Sequence, residues 1–105
     1  MITEFQEKVY EAVKLIPKGK VSTYKHLANY LSCNSSQAIG QALKKNPFAP
    51  TVPCHRVIKS DLSIGGYFGA VSGDEISKKI SLLESEGIEL DENGKLRNDH
   101  QVFSF

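Results

Sequence analysis

Apolar residues recur at helical spacing from the start of the chain and predict a first helix from about residue 4 to Ile16. Thr3 and Gln6 form the pattern of a capping box before it, and Pro17 with Gly19 stops it. Its apolar face is formed by Phe5, Val9, Ala12, Val13 and Ile16.

Two short helices joined by a polar break follow, and together they predict a helix-turn-helix. Ser22 or Thr23 can cap the second helix; the third begins after the polar residues 33–36 and ends at Asn46 before Pro47. Their apolar faces are formed by Tyr24, Leu27, Ala28 and Leu31 and by Ile39 and Leu43. Small residues on the third helix allow either close approach to a nucleic-acid backbone or tight packing of the two helices. Both interpretations stay open.

The stretch after the third helix is extended and loop-like, and a fourth helix follows it. Residues 57–58 predict a short buried strand, and the glycine-rich residues 65–69 predict a loop that allows close approach. The last helix should begin near Asp74 and stop at Gly87, and residues 88–97 then predict a small hairpin. The inner face of this helix is assigned to Ile76, Ile80 and Leu83.

Length and composition are those of one globular domain. The chain has 105 residues, of which 40% are hydrophobic and 24% are charged. No apolar run approaches the roughly 20 residues of a membrane span, and residues 1–4 lack the features of a signal peptide. We therefore expect a protein of the cytoplasm, or of the nucleus in a eukaryote, with Cys33 and Cys54 reduced. The scattered histidines give no zinc-ligand spacing, so no metal or other cofactor is predicted.

Charge is divided unevenly along the chain. Residues 1–60 carry nine basic and three acidic residues, whereas residues 61–105 carry four basic and nine acidic residues. A basic half is a candidate surface for a polyanion such as nucleic acid. The alternative is a solvated surface whose two signs face each other.

The stretch TVPCHRVIKS, residues 51–60, places Cys54 between a proline and His55. A thiol is a poor nucleophile at neutral pH unless a nearby base or positive charge favours the thiolate, so Cys54 is either a buried thiol or an activated nucleophile. A base needs a third group to orient it, and Glu86 is the best candidate. It lies at the end of the last helix, where a carboxylate opposes the helix dipole.

The run VPCHRVI, preceded by GKVSTYKHLA and KKNP and followed by GGY and LLESEG, closely resembles the C-terminal, DNA-binding and active-site domain of the O6-alkylguanine-DNA alkyltransferases. The resemblance covers about residues 4 to 90. It implies a mainly α, winged-helix-like domain with a helix-turn-helix and short β elements, spanning residues 1–105 without the family's usual N-terminal domain. It also implies DNA repair by irreversible transfer of an alkyl group from guanine O6 to the protein's own cysteine. The expected partner of the monomer is double-stranded DNA containing O6-alkylguanine, with no cofactor.

The same resemblance assigns the chemistry to particular residues. Cys54 is the acceptor, His55 the water-linked base that promotes its thiolate, and Glu86 the group that orients His55. Asn46 braces the loop that holds the cysteine. Tyr24 donates to the flipped base and helps the guanine anion to leave.

Binding roles follow from the resemblance as well. The backbone carbonyls of Cys54 and Val57 would receive the guanine amino group. The pocket walls are assigned to Tyr67, Phe68 and Gly69. The DNA-binding residues are assigned to Ser35, Ser36, Gln37, Ala38, Gln41, Lys45 and Arg56. Gln37 stands where the family commonly has an arginine that replaces the flipped base in the duplex.

Three alternatives remain at the level of sequence. Alkyltransferase-like proteins are similarly short and bind alkylated DNA without chemistry, but they usually carry tryptophan in place of the cysteine. A plain helix-turn-helix regulator leaves PCHRV and Glu86 unexplained. A hydrolase with a Cys-His pair leaves the basic half unexplained.

Overall fold

A computed structural model of the protein describes residues 3–48, 51–64, 74–103 and 105. Within these residues it is mainly α, and the predicted fold class is confirmed. In chain order the elements are α1 (Glu4–Val13), β1 (Ser22–Thr23), α2 (Tyr24–Tyr30), α3 (Ser36–Lys44), β2 (Val57–Ile58) and α4 (Asp74–Ser85), with 3₁₀ turns at Cys54–Arg56 and Asp99–Gln101. Among the described helices, none has the length and apolar character needed to cross a bilayer.

Helix α1 begins with the predicted capping box. Thr3 Oγ1 accepts from the Gln6 amide at 3.1 Å, and Gln6 Oε1 accepts from the Thr3 amide at 2.7 Å. The helix ends at Val13, however, and the prediction that it reaches Ile16 was wrong. The amides of the next turn bond to carbonyls three residues back, because the residue before Pro17 is disfavoured in helical conformation. Ile16 is still completely buried.

The predicted helix-turn-helix is formed by α2 and α3, which pack against each other. Thr23 Oγ1 caps α2 by accepting from the His26 amide, and Ser35 caps α3 in the same way. Helix α2 ends in a Schellman motif: Ser32 has the left-handed φ of 54°, and the Cys33 amide donates to the carbonyl five residues earlier at 2.8 Å. The turn between the helices is therefore closed by local hydrogen bonds.

Strand β2, predicted as a short buried strand, pairs in parallel with β1. Ser22 lies opposite Val57 and Thr23 lies opposite Ile58. The sequence did not predict this partner, because a strand of two residues has no measurable periodicity. The pairing places the start of α2 beside the segment that follows Cys54.

Two hydrophobic clusters lie on opposite sides of β2, because successive strand residues point to opposite faces. The larger one joins α1, α2 and α3 to the cysteine turn, and its buried members are Val9, Tyr10, Ala12, Val13, Ile16, Leu27, Ala28, Ile39, Ala42, Leu43, Val52, Cys54 and Val57. The smaller one contains Val21, Ile58, Leu83, Ile88 and Leu96.

Helix α4 stops at Gly87 as predicted. Gly87 has φ 87°, and the Ile88 amide donates to the Leu83 carbonyl at 3.0 Å, so the helix ends in a second Schellman motif. On the inner face, Leu83 is buried but Ile80 is only half-buried, and Lys79 is buried instead. The assignment of Ile80 to this face was therefore inaccurate.

The predicted hairpin at residues 88–97 is present as a turn with a single antiparallel bridge between Leu90 and Leu96. The Asp91 amide donates to the Lys95 carbonyl at 2.8 Å, and Gly94 adopts φ 75° in the turn. The predicted glycine-rich loop at residues 65–69 lies outside the described residues.

Candidate functional site

Cys54 begins the 3₁₀ turn that enters β2. Pro53 fixes φ at −81° before the turn, the Cys54 amide donates to the Val52 carbonyl at 2.8 Å, and the Val57 amide donates to the Cys54 carbonyl. The prediction of an extended chain here missed this turn. Cys54 is buried, with 5% of its surface exposed. The thiol is thus held at a fixed place in the larger cluster.

The side chains of His55, Arg56 and Glu86 form a buried polar cluster next to Cys54. Glu86 Oε1 lies 3.1 Å from His55 Nε2 and 2.9 Å from Arg56 Nε, while Oε2 lies 2.6 Å from Arg56 Nη2. The predicted contact between His55 and Glu86 is present. The Schellman motif positions Glu86, because this residue directly precedes Gly87 at the end of α4.

The charge states in this cluster leave His55 able to accept a proton. Burial raises the pKa of Glu86, but hydrogen bonds from Arg56 and His55 outweigh this, and the resulting pKa lies below its usual range. An ionised Glu86 can only accept, so His55 Nε2 carries the hydrogen. Burial lowers the pKa of His55 despite the opposing effect of Glu86, so the ring is neutral at pH 7. Its Nδ1 then presents a lone pair, and this atom is buried without a hydrogen-bond partner among the described residues.

Arg56 does not lie where it was expected. The resemblance assigned it to DNA, yet Nε and Nη2 bind Glu86 and Nη1 donates to the Ile16 carbonyl at 2.9 Å. Only 16% of its side chain is exposed. Because the bidentate guanidinium is committed to the carboxylate, the structure assigns Arg56 to the support of Glu86 in place of a phosphate contact.

Asn46 is buried just after α3 and bridges the loop that leads to the cysteine. Its Nδ2 donates to the Val52 carbonyl at 3.0 Å, and its Oδ1 accepts from the Phe48 amide at 2.9 Å. The side chain thereby ties the start of the loop, at Phe48, to Val52, two residues before Cys54. This geometry is the one expected of a residue that braces the loop.

Two tyrosines lie within electrostatic range of Cys54. Burial raises the pKa of Tyr24, and the Cys54 thiolate raises it further, so the half-buried phenol keeps its proton at neutral pH. Burial and the Cys54 thiolate also raise the pKa of Tyr10, but its hydroxyl donates to the Ala42 carbonyl at 2.7 Å and ties α1 to α3. Tyr24 is consequently the better candidate for donating a proton to a ligand.

Lys79 is a buried residue near the site that the sequence analysis missed. Its Nζ donates to the Val57 carbonyl at 2.9 Å and to the Ile64 carbonyl at 2.6 Å. The helical spacing of Ile76, Ile80 and Leu83 predicted an apolar face of α4 that does not include Lys79. No feature of the neighbouring sequence indicated that backbone carbonyls would accept hydrogen bonds from an ammonium at this position.

The residues predicted to wall the pocket, Tyr67, Phe68 and Gly69, lie outside the described residues. Val57 is buried in β2, and its carbonyl already accepts from Lys79. A carbonyl oxygen has two lone pairs, so a second donor remains possible there.

The outer side of the helix-turn-helix is polar and exposed. The residues assigned to DNA that are exposed are Ser35, Ser36, Gln37, Gln41 and Lys45, and Ala38 is half-buried. A Cβ added at Gly40 would meet no atom within 4 Å, so packing inside the protein does not require glycine at this position. The observation favours an approach from outside over tight helix packing as the reason for the small residue.

The described residues contain no group of three or more His, Cys, Asp or Glu side chains that could hold a metal ion. Among the ion pairs of this part of the chain, Arg56 and Glu86 join the basic half to the acidic half, whereas Lys8 and Lys14 pair within α1. Lys45 pairs with no described residue, so its charge faces solvent.

Residues 4–88 match the family described as 6-O-methylguanine DNA methyltransferase, DNA binding domain. The chain is 43% identical over 89 residues to a methylated-DNA--protein-cysteine methyltransferase of Methanothermobacter thermautotrophicus, an alignment that covers 85% of the chain and 47% of that protein. It is 44% identical over 88 residues to the same-named protein of Saccharolobus solfataricus, covering 84% and 54%. The chain thus spans about half the length of these curated relatives.

Two solved structures are similar to the fold. S. pombe Atl1, in complex with damaged DNA containing O6-carboxymethylguanine, superposes with a TM-score of 0.85 at 33% identity, covering 100% of this chain and 99% of that one. The O6-methylguanine-DNA methyltransferase of Pyrococcus kodakaraensis superposes with a TM-score of 0.73 at 43% identity, covering 83% and 48%.

Proposed function

Because the chain belongs to the family of the 6-O-methylguanine DNA methyltransferase DNA-binding domain, we propose that it repairs DNA by taking the alkyl group of O6-alkylguanine onto Cys54. In this proposal residues 1–105 act as one domain that both binds the DNA and carries the acceptor. The substrate is double-stranded DNA, and each molecule acts once.

The contact between His55 and Glu86, next to Cys54, is the observation that carries the proposal. With Nε2–H directed at Glu86, the lone pair of His55 Nδ1 can take the thiol proton through a bridging water. Arg56 fixes Glu86 by two hydrogen bonds, so the orienting carboxylate cannot turn away.

The proposed transfer is an in-line displacement at the alkyl carbon. The Cys54 sulfur forms a bond to the alkyl carbon while the bond from that carbon to O6 breaks and its electrons remain on the guanine. Tyr24, whose raised pKa keeps its hydroxyl protonated, supplies the hydrogen bond or proton that the leaving guanine needs. The product is a thioether, and its new carbon–sulfur bond is not readily broken. Each protein molecule therefore reacts once.

DNA binding is assigned to the exposed polar side of α2 and α3. Ser35, Ser36, Gln37 and Gln41 are near the start or outer face of α3, and Lys45 adds an exposed positive charge after it. The base must leave the stack to reach a buried sulfur. The carbonyls of Cys54 and Val57 would then accept from its amino group, and Tyr67, Phe68 and Gly69 would close the pocket.

A second candidate is a binding protein that recognises alkylated DNA and passes it to another pathway. The observation in its favour is the similarity of the fold to Atl1, which was solved in complex with damaged DNA. Cys54 with its supporting cluster favours the enzyme.

Mass spectrometry separates the two candidates. The protein is incubated with a duplex containing O6-methylguanine and digested with trypsin, which gives peptide 46–56 for Cys54 and peptide 26–44 for Cys33. Transfer adds one methyl to peptide 46–56 in step with its loss from DNA, and peptide 26–44 stays unchanged. Tight binding of the duplex without any mass gain would establish the binding protein instead.

A further inference from the structure

Lys79 is buried at a place where the proposed mechanism gives it no task. Only 1% of its surface is exposed, and it is the largest of the completely buried side chains that are described. Lysine is almost never fully buried without partners, because removing its ammonium from water is unfavourable. A methionine would fill a similar volume without this cost, so the charge itself calls for an explanation.

The contacts of Lys79 connect it to the backbone of the cysteine turn. Its Nζ donates to the Val57 carbonyl, and the Val57 amide in turn donates to the Cys54 carbonyl. Its second bond, to the Ile64 carbonyl, holds the far end of the segment that leaves β2. Helix α4 also packs against the turn. One ammonium thus fixes both ends of residues 57–64 directly after the nucleophile.

Electrostatics link Lys79 to the sulfur as well. Burial lowers the pKa of Lys79 to about 8, and the Cys54 thiolate opposes this shift. The residue therefore remains mainly charged at pH 7. Interaction between two charges is mutual, so an ammonium whose protonated form is favoured by the thiolate favours the thiolate in return.

We propose that Lys79 is a positioning residue for Cys54, which holds the backbone of the cysteine turn and provides the buried positive charge that stabilises the thiolate. The inference rests on the proposed alkyl transfer only for its biological purpose, because thiolate formation can be measured without DNA. Among the described residues, the other titratable or charged groups around Cys54 are Tyr10, Tyr24 and His55, with Arg56 and Glu86 behind His55.

Among these groups Lys79 is the cation whose protonated form is favoured by the Cys54 thiolate. Arg56 is paired with Glu86, and His55 is neutral at pH 7. The two tyrosines are neutral as well, since their pKa values are raised. Loss of the Lys79 charge should consequently be felt directly at the sulfur.

Reaction of Cys54 with iodoacetamide across a pH series tests the proposal. Peptide 46–56 reports Cys54, while peptide 26–44 reports Cys33 as an internal control in the same sample. In Lys79→Met we expect the pH midpoint of Cys54 reaction to rise by about one unit, so the rate at pH values below the midpoint falls about tenfold and recovers at high pH. Lys79→Arg should retain most of the wild-type midpoint.

Lys78→Met is the matched control, because Lys78 is exposed on the neighbouring position of α4. It should leave the midpoint unchanged. If Lys79→Met lowers the melting temperature but reacts with the wild-type pH midpoint, Lys79 is only a structural residue and the proposal is wrong.

A reciprocal measurement does not depend on Lys79→Met being folded. The pKa of Lys79 is followed by NMR of its side-chain resonances in the wild-type protein and in Cys54→Ala. Removal of the thiolate should lower the pKa of Lys79, and an unchanged value would overturn the proposal. These outcomes are independent of alkyl transfer: a shifted midpoint in a protein that never accepts a methyl group from DNA would reject the proposed function and keep the role of Lys79.

Discussion

The helix-turn-helix and the cysteine turn are neighbours in space, but they place polar groups in opposite ways. On α2 and α3 the polar side chains face solvent, and the hydrogen bonds that define the helix ends join residues three to five positions apart. At the cysteine turn the polar side chains are buried, and their partners come from far along the chain: His55 reaches Glu86 across 31 residues and Arg56 reaches Ile16 across 40.

The difference teaches where each part of the proposed function is encoded. A surface that contacts a polyanion needs exposed side chains on a well-capped helix, which local sequence can specify. A cysteine that must become a thiolate needs desolvated charges at fixed distances, which only tertiary packing can supply. Substitutions in the helix-turn-helix should therefore change the affinity for DNA, and substitutions at the cysteine turn should change the rate of alkyl transfer.

The largest effect is expected from Cys54→Ala. It should abolish transfer from O6-methylguanine DNA and leave the affinity for the duplex unchanged, because the sulfur lies in the buried region and contributes nothing to phosphate contacts. Methyl transfer is measured by peptide mass and affinity by fluorescence anisotropy. Cys33→Ala is the control and should retain both properties. An equal loss of both in Cys54→Ala would mean that the cysteine is structural.

Glu86→Gln should slow transfer about 100-fold at pH 7 and reduce the free energy of unfolding by about 2–3 kcal/mol, since Arg56 and His55 lose a buried anionic partner. The folded-state pKa of Glu86 is depressed, so the wild-type contribution is present above the unfolded pKa and is lost as the pH falls through the lower folded value.

Denaturant titrations from pH 7 down to pH 3 measure this loss for Glu86→Gln and for Glu84→Gln, whose carboxylate is exposed. The wild-type and Glu84→Gln proteins should weaken together as the pH falls, and Glu86→Gln should weaken less. Parallel curves for all of them would remove Glu86 from the buried network.

Lys79 should give a dependence of the same direction in a higher pH range. Its folded pKa of about 8 lies below the unfolded value, so the unfolded chain binds more protons between these values and stability rises with pH there. From pH 8 to pH 10 we expect a gain of about 2–3 kcal/mol relative to Lys79→Met. Above pH 10 both proteins lose stability, because the raised pKa values of Tyr10 and Tyr24 favour the unfolded chain, and this loss cancels in the difference between them. A flat difference between the two proteins over this range would show that the ammonium is not desolvated.

Gly40→Ala probes the surface region. An added Cβ meets no protein atom, so the substitution should stabilise α3 by about 0.5–1 kcal/mol, as expected for glycine replaced in a helix. If DNA lies closely against this face, affinity for the duplex should fall although the protein has become more stable. Thermal melting and anisotropy measure the two quantities. Unchanged affinity would mean that DNA does not approach Gly40.

The smallest effect, a change in rate of a few-fold, is expected from Gln37→Arg. The exposed side chain at the start of α3 is proposed to occupy the place of the flipped base, and a planar, charged, multi-donor group should hold that gap better. Transfer should become faster on duplex DNA and stay the same on free O6-methylguanine. Gln37→Lys adds the charge without the planar group and should help less. Equal acceleration of both substrates would contradict the placement of Gln37.

The helices could be predicted from the sequence because their signals are local. The capping box at Thr3, the stop at Gly87 and the burial of Val57 and Ile58 follow from residues within one turn of each feature. Helix α1 was predicted to reach Ile16 because Ile16 is buried and lies at helical spacing, although the helix ends at Val13. A hydrophobic pattern records burial, and it does not distinguish a helix from the turn that follows it.

The site was predicted only in part, for a related reason. The sequence supplied Cys54, His55 and Glu86, and the structure shows the contact between His55 and Glu86, but the resemblance placed Arg56 on the DNA side. Nothing local to the sequence reveals that this guanidinium turns toward a carboxylate 30 residues away, or that Lys79 is buried. The contacts of Arg56 and Lys79 depend on the tertiary packing of α4 against the cysteine turn.

The distance along the chain between the parts of the site also fixes the time at which a newly made polypeptide becomes reactive. A ribosome releases the cysteine turn well before α4, and domains fold as their segments emerge. Until α4 has been synthesised and has docked, Cys54 and His55 exist without Lys79 and Glu86, and the thiol has only ordinary nucleophilicity. On the proposed mechanism, the cysteine therefore gains its supporting charges only when the last helix has docked.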